Sequence, residues 1–227
     1  MPSDYLFDHQ RPQRLGLAEA VLCAHKTVEQ IAAAIDDARS GDQPRLLTRL
    51  SAGQHAQLPQ RCRDAIDYDA LSQTAIVGGL VQDRRPARVA IVTAGTSDKW
   101  IAGEAIRTLD FHGEDARLYQ DLGVAGLWRL LRHEEEIAAF PVVIAVAGME
   151  GALFSVLAGL VPGAVIAVPS ATGSGVAAAG RVALDSALAS CAPGLTVVNI
   201  DNGYGAACAA LRLLRQIDRA VSAAGGA

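Results

Sequence analysis

One feature narrows the fold more than any other. From residue 88 onward, short β-rich apolar runs alternate with Ala- and Leu-rich stretches of helical length. The runs are 88–93, 116–119, 142–146, 164–168 and 195–200; the helical stretches are 99–111, 124–138, 152–160, 176–190 and 206–221. Strands apolar on both faces belong in a sheet covered on both sides, and βα units in series build that sheet parallel. A Rossmann-like three-layer α/β sandwich with right-handed crossovers is expected over residues 86–227.

Residues 1–85 follow a different pattern and are expected to form a small α+β domain. Thr27 and Gln30 make a capping-box pair that opens a helix to about Ala38. Segments 46–50 and 75–81 read as strands and 52–63 as a short helix, while the turn-rich stretch from Gly78 to Pro86 marks the boundary. The tail 222–227 reads as frayed.

Composition removes several function classes. Hydrophobic residues make up 51% and charged residues 19%, enough apolar matter for a core and too little charge for a disordered chain. The balance of 20 basic against 24 acidic residues gives −4 at pH 7 without a Lys/Arg cluster, which argues against nucleic acid or an anionic membrane as partner. No apolar run approaches the ~18–20 residues of a membrane span, and the polar start lacks a signal-peptide pattern, so a cytoplasmic protein is expected. Four scattered cysteines form neither a zinc motif nor a disulfide framework. Cys23 and Cys208 read as structural and Cys62 as a surface helix residue.

In open parallel sheets, ligands bind beyond the carboxyl ends of the strands. The first such loop holds Gly95, Thr96, Ser97 and Asp98, a glycine turn entering a helix that suits an anionic group or serves only as an N-cap. Asp121 in the second either caps a helix or faces a pocket. Gly148, Met149 and Glu150 in the third place a lone carboxylate between glycines, as a helix-dipole partner or a general base. The fourth runs from Ser170 to Gly175 and is hydroxyl-rich; the fifth begins Asp201-Asn202-Gly203. The histidines fall in the first domain or in α-to-β connections, at the opposite rim. Cys191 follows the fourth helical stretch with no cation nearby in sequence; it is either inert or activated by a cationic substrate.

Taken together, the segments VAIVTAGTSD (89–98), DLGVAGLWRL (121–130), AGMEGALFSVLAGLVPGAVIAVPS (147–170) and SCAPGLTVVNIDNGYGA (190–206) resemble the LarB family, as does the early pattern Asp8, Arg11, Arg14, Gly16, Glu19. These are pyridinium dicarboxylate mononucleotide synthases of nickel-pincer-nucleotide biosynthesis, which serves lactate racemase maturation, and are related to the aminoimidazole ribonucleotide carboxylases. The resemblance implies carboxylation of nicotinic acid adenine dinucleotide at C5 of its pyridinium ring and hydrolysis of its phosphoanhydride. It implies Cys191 as nucleophile, Glu150 as handler of the C5 proton, Asp121 as a pocket acid and the Ser97/Asp98 loop at the ribose-phosphate. Gly95, Thr96, Gly148, Met149, Ser170, Asp201 and Asn202 are expected to complete the substrate site.

CO2 or bicarbonate is the implied co-substrate and a homo-octamer the implied assembly. No tightly bound cofactor is expected; the hydrolysis admits Mg2+, although no compact ligand motif marks a metal site. Two departures from the family bear on substrate choice: Phe154 where proline is common, and Ser170–Gly175 where the family loop resembles Thr-Ser-Val-Gly-Tyr-Gly. An aminoimidazole ribonucleotide carboxylase or mutase is disfavoured by the lack of histidines in the pocket loops. A nonenzymatic nucleotide-binding or regulatory module is disfavoured by the presence of both Cys191 and Glu150.

Overall fold

The computed structural model describes residues 7–41, 43–81 and 83–225. These divide into one unit of Met1–Asp83 with Asp110–Gly113 and a second of Arg84–Leu109 with Glu114–Ala227.

The first unit contains α1 (Arg11–Leu15), β1 (Ala20–Leu22), α2 (Val28–Ser40), β2 (Arg45–Thr48), α3 (Ala52–Gln57), α4 (Gln60–Arg63), β3 (Ile66–Asp69) and β4 (Thr74–Val77). Its sheet order is β1-β2-β4-β3, with β1 parallel to β2 and the remaining pairs antiparallel. The capping box forms as expected: Thr27 Oγ1 accepts from the Gln30 amide at 3.3 Å and Gln30 Oε1 from the Thr27 amide at 3.1 Å. The helix expected over 52–63 divides at Leu58 and Pro59, because proline disfavours helical backbone in the residue before it. Strands β1 and β3 have little signal of their own, β1 being three residues long and β3 half acidic, and gain their ladders from β2 and β4.

The early Asp8/Arg14/Glu19 pattern closes on itself. Arg14 pairs with the Asp8 carboxylate at 2.6 Å, and the Asp8 amide donates to Glu19 at 2.9 Å. Cys62 is buried in this unit's core rather than on the surface, with its thiol 3.8 Å from Asp36. Burial, reinforced by that carboxylate, raises its pKa. Burial also pushes the Cys23 thiol up to about 12. Both are poor nucleophiles.

The second unit carries β5 (Arg85–Thr93), α5 (Lys99–Phe111), β6 (Glu114–Tyr119), α6 (Leu127–Leu131), α7 (Glu134–Ala138), β7 (Val142–Ala147), α8 (Ala152–Leu160), β8 (Ala164–Pro169), α9 (Arg181–Leu188), β9 (Thr196–Val197) and α10 (Gly203–Gly225). The strands pair in parallel in the order β6-β5-β7-β8-β9. Successive strand residues serve opposite faces. Val143, Ala145 and Ala147 of β7 pack with Leu130, Ile137, Leu153, Phe154, Leu157, Ala183 and Ala187 from α6 to α9. Ile144 and Val146 turn the other way, to the face where α10 lies against β7 and β8. Each fully buried Val, Leu, Ile or Phe among them stabilises the fold by roughly 1.5–3 kcal/mol.

Three expected elements of the second unit come out shorter or broken. The stretch 124–138 resolves into a 3-10 turn (Val124–Gly126), α6, and α7, whose first turn holds three glutamates at the positive end of the helix dipole. The stretch 176–190 begins with a turn in which Ala178 and Ala179 leave helical geometry. The last strand keeps only Thr196 and Val197, since β8 offers it pairing only at Ile166 and Ala167. By contrast, α10 continues through most of the tail expected to fray, as far as Gly225.

At the amino-terminal rim, Arg88 bridges Glu114 and Asp218, each at 2.6 Å, and Arg85 also pairs with Asp218. The hydrogen bond from Arg88 holds the Asp218 carboxyl below the usual carboxylate range against a smaller opposing effect of burial, and Arg85 adds to the lowering. Its contribution to stability is complete above the ordinary carboxylate value and is lost as pH falls through the lowered one. Thermal melts between pH 6 and pH 2 should show a steeper loss for the parent than for Asp218→Asn. Parallel pH profiles would remove Asp218 from the account of acid sensitivity.

Candidate active site

The order β6-β5-β7-β8-β9 reverses direction between β5 and β7, and at such a switch the loops leaving the two strands part to leave a crevice. A cavity of about 370 Å3 opens there. The loop after β5 contributes Gly95, Ser97 and Asp98; the one after β6 Gly123, Val124 and Ala125; the one after β7 Gly148, Met149 and Glu150; the one after β8 Thr172. Sequence reading brings six of its expected site residues here: Gly95, Ser97, Asp98, Gly148, Met149 and Glu150.

The floor is polar and preorganised. Asp98 is 2% exposed; one carboxylate oxygen accepts from the Gly95 amide at 2.9 Å and the other from the Thr172 hydroxyl at 3.0 Å. Ser170 lies behind Thr172, with hydroxyl oxygens 2.8 Å apart. Glu150 is exposed at the cavity and has no hydrogen-bond or ion-pair partner among the described residues. It is free to act on a ligand.

Backbone strain concentrates at this edge. Asp121, Met149 and Asp201 adopt φ of 60°, 53° and 58°, a left-handed region costly for side-chain-bearing residues. The glycines serve mainly to bring the loops together. A Cβ on Gly148 would stand 2.8 Å from Thr172 Oγ1, and one on Gly173 would strike the Ala177 carbonyl oxygen. They make room for the protein's own backbone, where the sequence suggests room for a ligand.

Other expected site residues lie outside the cavity lining. Thr96 is exposed beside it, and Ser170 is buried behind Thr172. Asp201 accepts from the Ala171 amide at 2.8 Å, and Asn202 accepts from the Gly205 amide at 2.8 Å as a helix cap. Asp121 is paired with Arg129 at 2.5 Å and is not a lining residue. Phe154 is fully buried against the Gly151 turn, so it shapes the support of the loop and not the cavity wall.

Cys191 also lies outside the lining. Of the four cysteines it is the exposed one. It occupies an α-to-β connection, whereas the cavity is made of β-to-α connections. Its neighbour Ser190 is anchored to Ser155 of α8 at 2.7 Å. Cys191 is thus next to a residue held on the first turn of α8, the helix whose Ala152 and Leu153 line the cavity, without itself being a lining residue.

Sequence reading takes Thr172 only as one hydroxyl of the loop 170–175 and passes over Arg129. The first has a signal, a hydroxyl two positions after Ser170; the second shows only as a base downstream of Asp121.

A larger cavity of about 530 Å3 in the first unit is lined by Arg39, Arg61 and Asp64 among others, but both arginines pair with Asp36. Chemistry, not volume, selects the switch-point cavity. Among the described residues, no three His, Cys, Asp or Glu side chains gather to hold a metal ion, and no helix is long and apolar enough to cross a membrane.

Comparison with known proteins matches two stretches of the chain. Residues 5–78 match the LarB/PurE-like N-terminal domain and residues 88–224 match AIR carboxylase. An uncharacterised protein of Methanocaldococcus jannaschii is 44% identical over 128 residues, 54% of this chain and 48% of that protein, so the chain spans about half the length of its curated relative. The crystal structure of a point variant of Treponema denticola PurE2 aligns with a TM-score of 0.40 at 18% identity, covering 63% of this chain and 96% of that one. With the two domains in this order, the chain belongs to the LarB family, related to the AIR carboxylases.

Proposed function

We propose that the protein carboxylates C5 of the pyridinium ring of nicotinic acid adenine dinucleotide and hydrolyses its phosphoanhydride, giving pyridinium-3,5-biscarboxylic acid mononucleotide and AMP. The observation that supports this most is the charge of the cavity. Among the described residues, its lining holds two carboxylates, Asp98 and Glu150, and no lysine, arginine or histidine. Such a site favours a cationic ring.

A pyridinium ring is electron-poor and does not attack CO2. Addition of the Cys191 thiolate at C4 forms a C–S bond and moves an electron pair into the ring, so that C5 becomes enamine-like and nucleophilic. C5 then forms a C–C bond with CO2. Glu150 takes the C5 proton, the C4–S bond breaks, the thiolate leaves with its electron pair and aromaticity returns. Separately, water adds to an anhydride phosphorus as the bridging P–O bond breaks.

Cys191 is not among the lining residues of its own chain's cavity, and in this reading it reaches the ring from a neighbouring copy in a homo-oligomer, which we take to be an octamer. Incubation with the dinucleotide and bicarbonate should yield AMP and a product one carboxyl heavier than nicotinic acid mononucleotide by mass spectrometry. Absence of both products would overturn the reading.

A further inference from the structure

The loop after β8 reaches the cavity through a single hydroxyl. Thr172 Oγ1 donates to Asp98 at 3.0 Å, and because a hydroxyl has one proton, its 2.8 Å contact with Ser170 makes Ser170 Oγ the donor there. Ser170 Oγ in turn accepts from the Thr172 amide at 3.3 Å, which closes the local turn. The hydrogen bonds run in one direction, from Ser170 to Thr172 to Asp98. A carboxylate has about four lone-pair sites, and here two are filled, by Gly95 and Thr172. The remaining capacity belongs to a group that lines the cavity.

We propose that Thr172 is a positioning residue, which fixes through Asp98 the direction in which the cavity floor accepts hydrogen bonds from the ribose hydroxyls of the bound nucleotide. The assignment of ribose rests on the substrate proposed above; the hold of Thr172 on Asp98 does not. Without the hydroxyl, the carboxylate keeps only the bond from Gly95, turns about its own torsion and meets the ribose in several orientations. Ground state and transition state share that contact, so its loss weakens binding and leaves the chemical step intact.

Thr172→Val removes the hydroxyl at nearly constant shape, and Thr172→Ser retains it. With the dinucleotide and bicarbonate, Thr172→Val should raise KM about 10-fold and change kcat by less than about 2-fold, while Thr172→Ser stays near the parent. A fall in kcat at unchanged KM, a Ser variant as impaired as the Val variant, or a Val variant equal to the parent would each overturn the proposal. Amide hydrogen exchange of ligand-free protein separates this from the choice of substrate. The Gly95 amide should exchange about 10-fold faster in Thr172→Val and at the parental rate in Thr172→Ser. If the parent turns over no dinucleotide, the substrate assignment fails while the exchange data still decide the role of Thr172. Unchanged Gly95 exchange in Thr172→Val overturns that role whatever the enzyme assay gives.

Discussion

Cys191→Ala and Glu150→Gln proteins, each inactive by itself, are expected to regain carboxylation when their subunits are mixed. Each single substitution should lower turnover about 1,000-fold or more, because one removes the nucleophile and the other the base. If Cys191 serves the cavity of a neighbouring copy, some sites in a mixed assembly pair an intact cysteine with an intact glutamate. Random exchange at equal proportions makes roughly a quarter of all sites competent. A site complete within one chain yields none, since every chain carries one lesion. Mixing under conditions that exchange subunits, followed by an AMP assay, gives the answer, and absence of recovery despite demonstrated exchange would assign both residues to one chain. Light scattering showing only a 23.6 kDa monomer would exclude the shared site altogether.

The second large effect concerns the proton at C5. After CO2 adds, that carbon bears both the new carboxylate and a hydrogen that must leave before the ring regains aromaticity. Proton removal requires a base within about 3 Å. Glu150 is the exposed, unpartnered carboxylate of the lining, whereas Asp98 is buried and held in place by Gly95 and Thr172. Glu150→Gln preserves the shape and removes the basicity. With substrate deuterated at C5, the parent should release the label at each turnover, and the Gln variant should retain it while still forming the Cys191 adduct detectable by intact mass. Label release at the parental rate in Glu150→Gln would move the base elsewhere.

Much of the fold is legible before any coordinates. The runs 142–146 and 164–168 match β7 and β8 to one residue, since an uninterrupted Val/Ile/Ala run between glycine-rich loops has few other ways to be buried. Helices over 99–111 and 152–160 are read with their observed limits. Breaks are harder to read. Ala178 and Ala179 carry good helix-forming side chains, yet both leave helical geometry, a break that propensity does not announce.

The site is legible to the extent that it follows from topology. Glycine-bearing loops at the carboxyl ends of parallel strands locate Gly95, Asp98, Gly148 and Glu150 without reference to any partner. What depends on which loops touch is not legible. The pairing of Asp121 with Arg129 has no signal in the sequence, and neither does the contact of Ser190, beside Cys191, with Ser155 of α8. Thr172 looks like one more loop hydroxyl until its partner across the cavity is known.

The close seating of the loops has a consequence for how such a site can change over evolutionary time. Gly148 lies under Thr172, and Gly173 lies against the Met149 backbone, so neither loop has room to take on bulk by itself. Most single substitutions at these contacts would be rejected, whereas paired changes in two loops would be tolerated. New specificities in this architecture should therefore arise through epistasis, with the segments around 148–151 and 170–175 drifting together as a set. A chimera that exchanges only one of them with a relative should fold worse than a chimera that exchanges both.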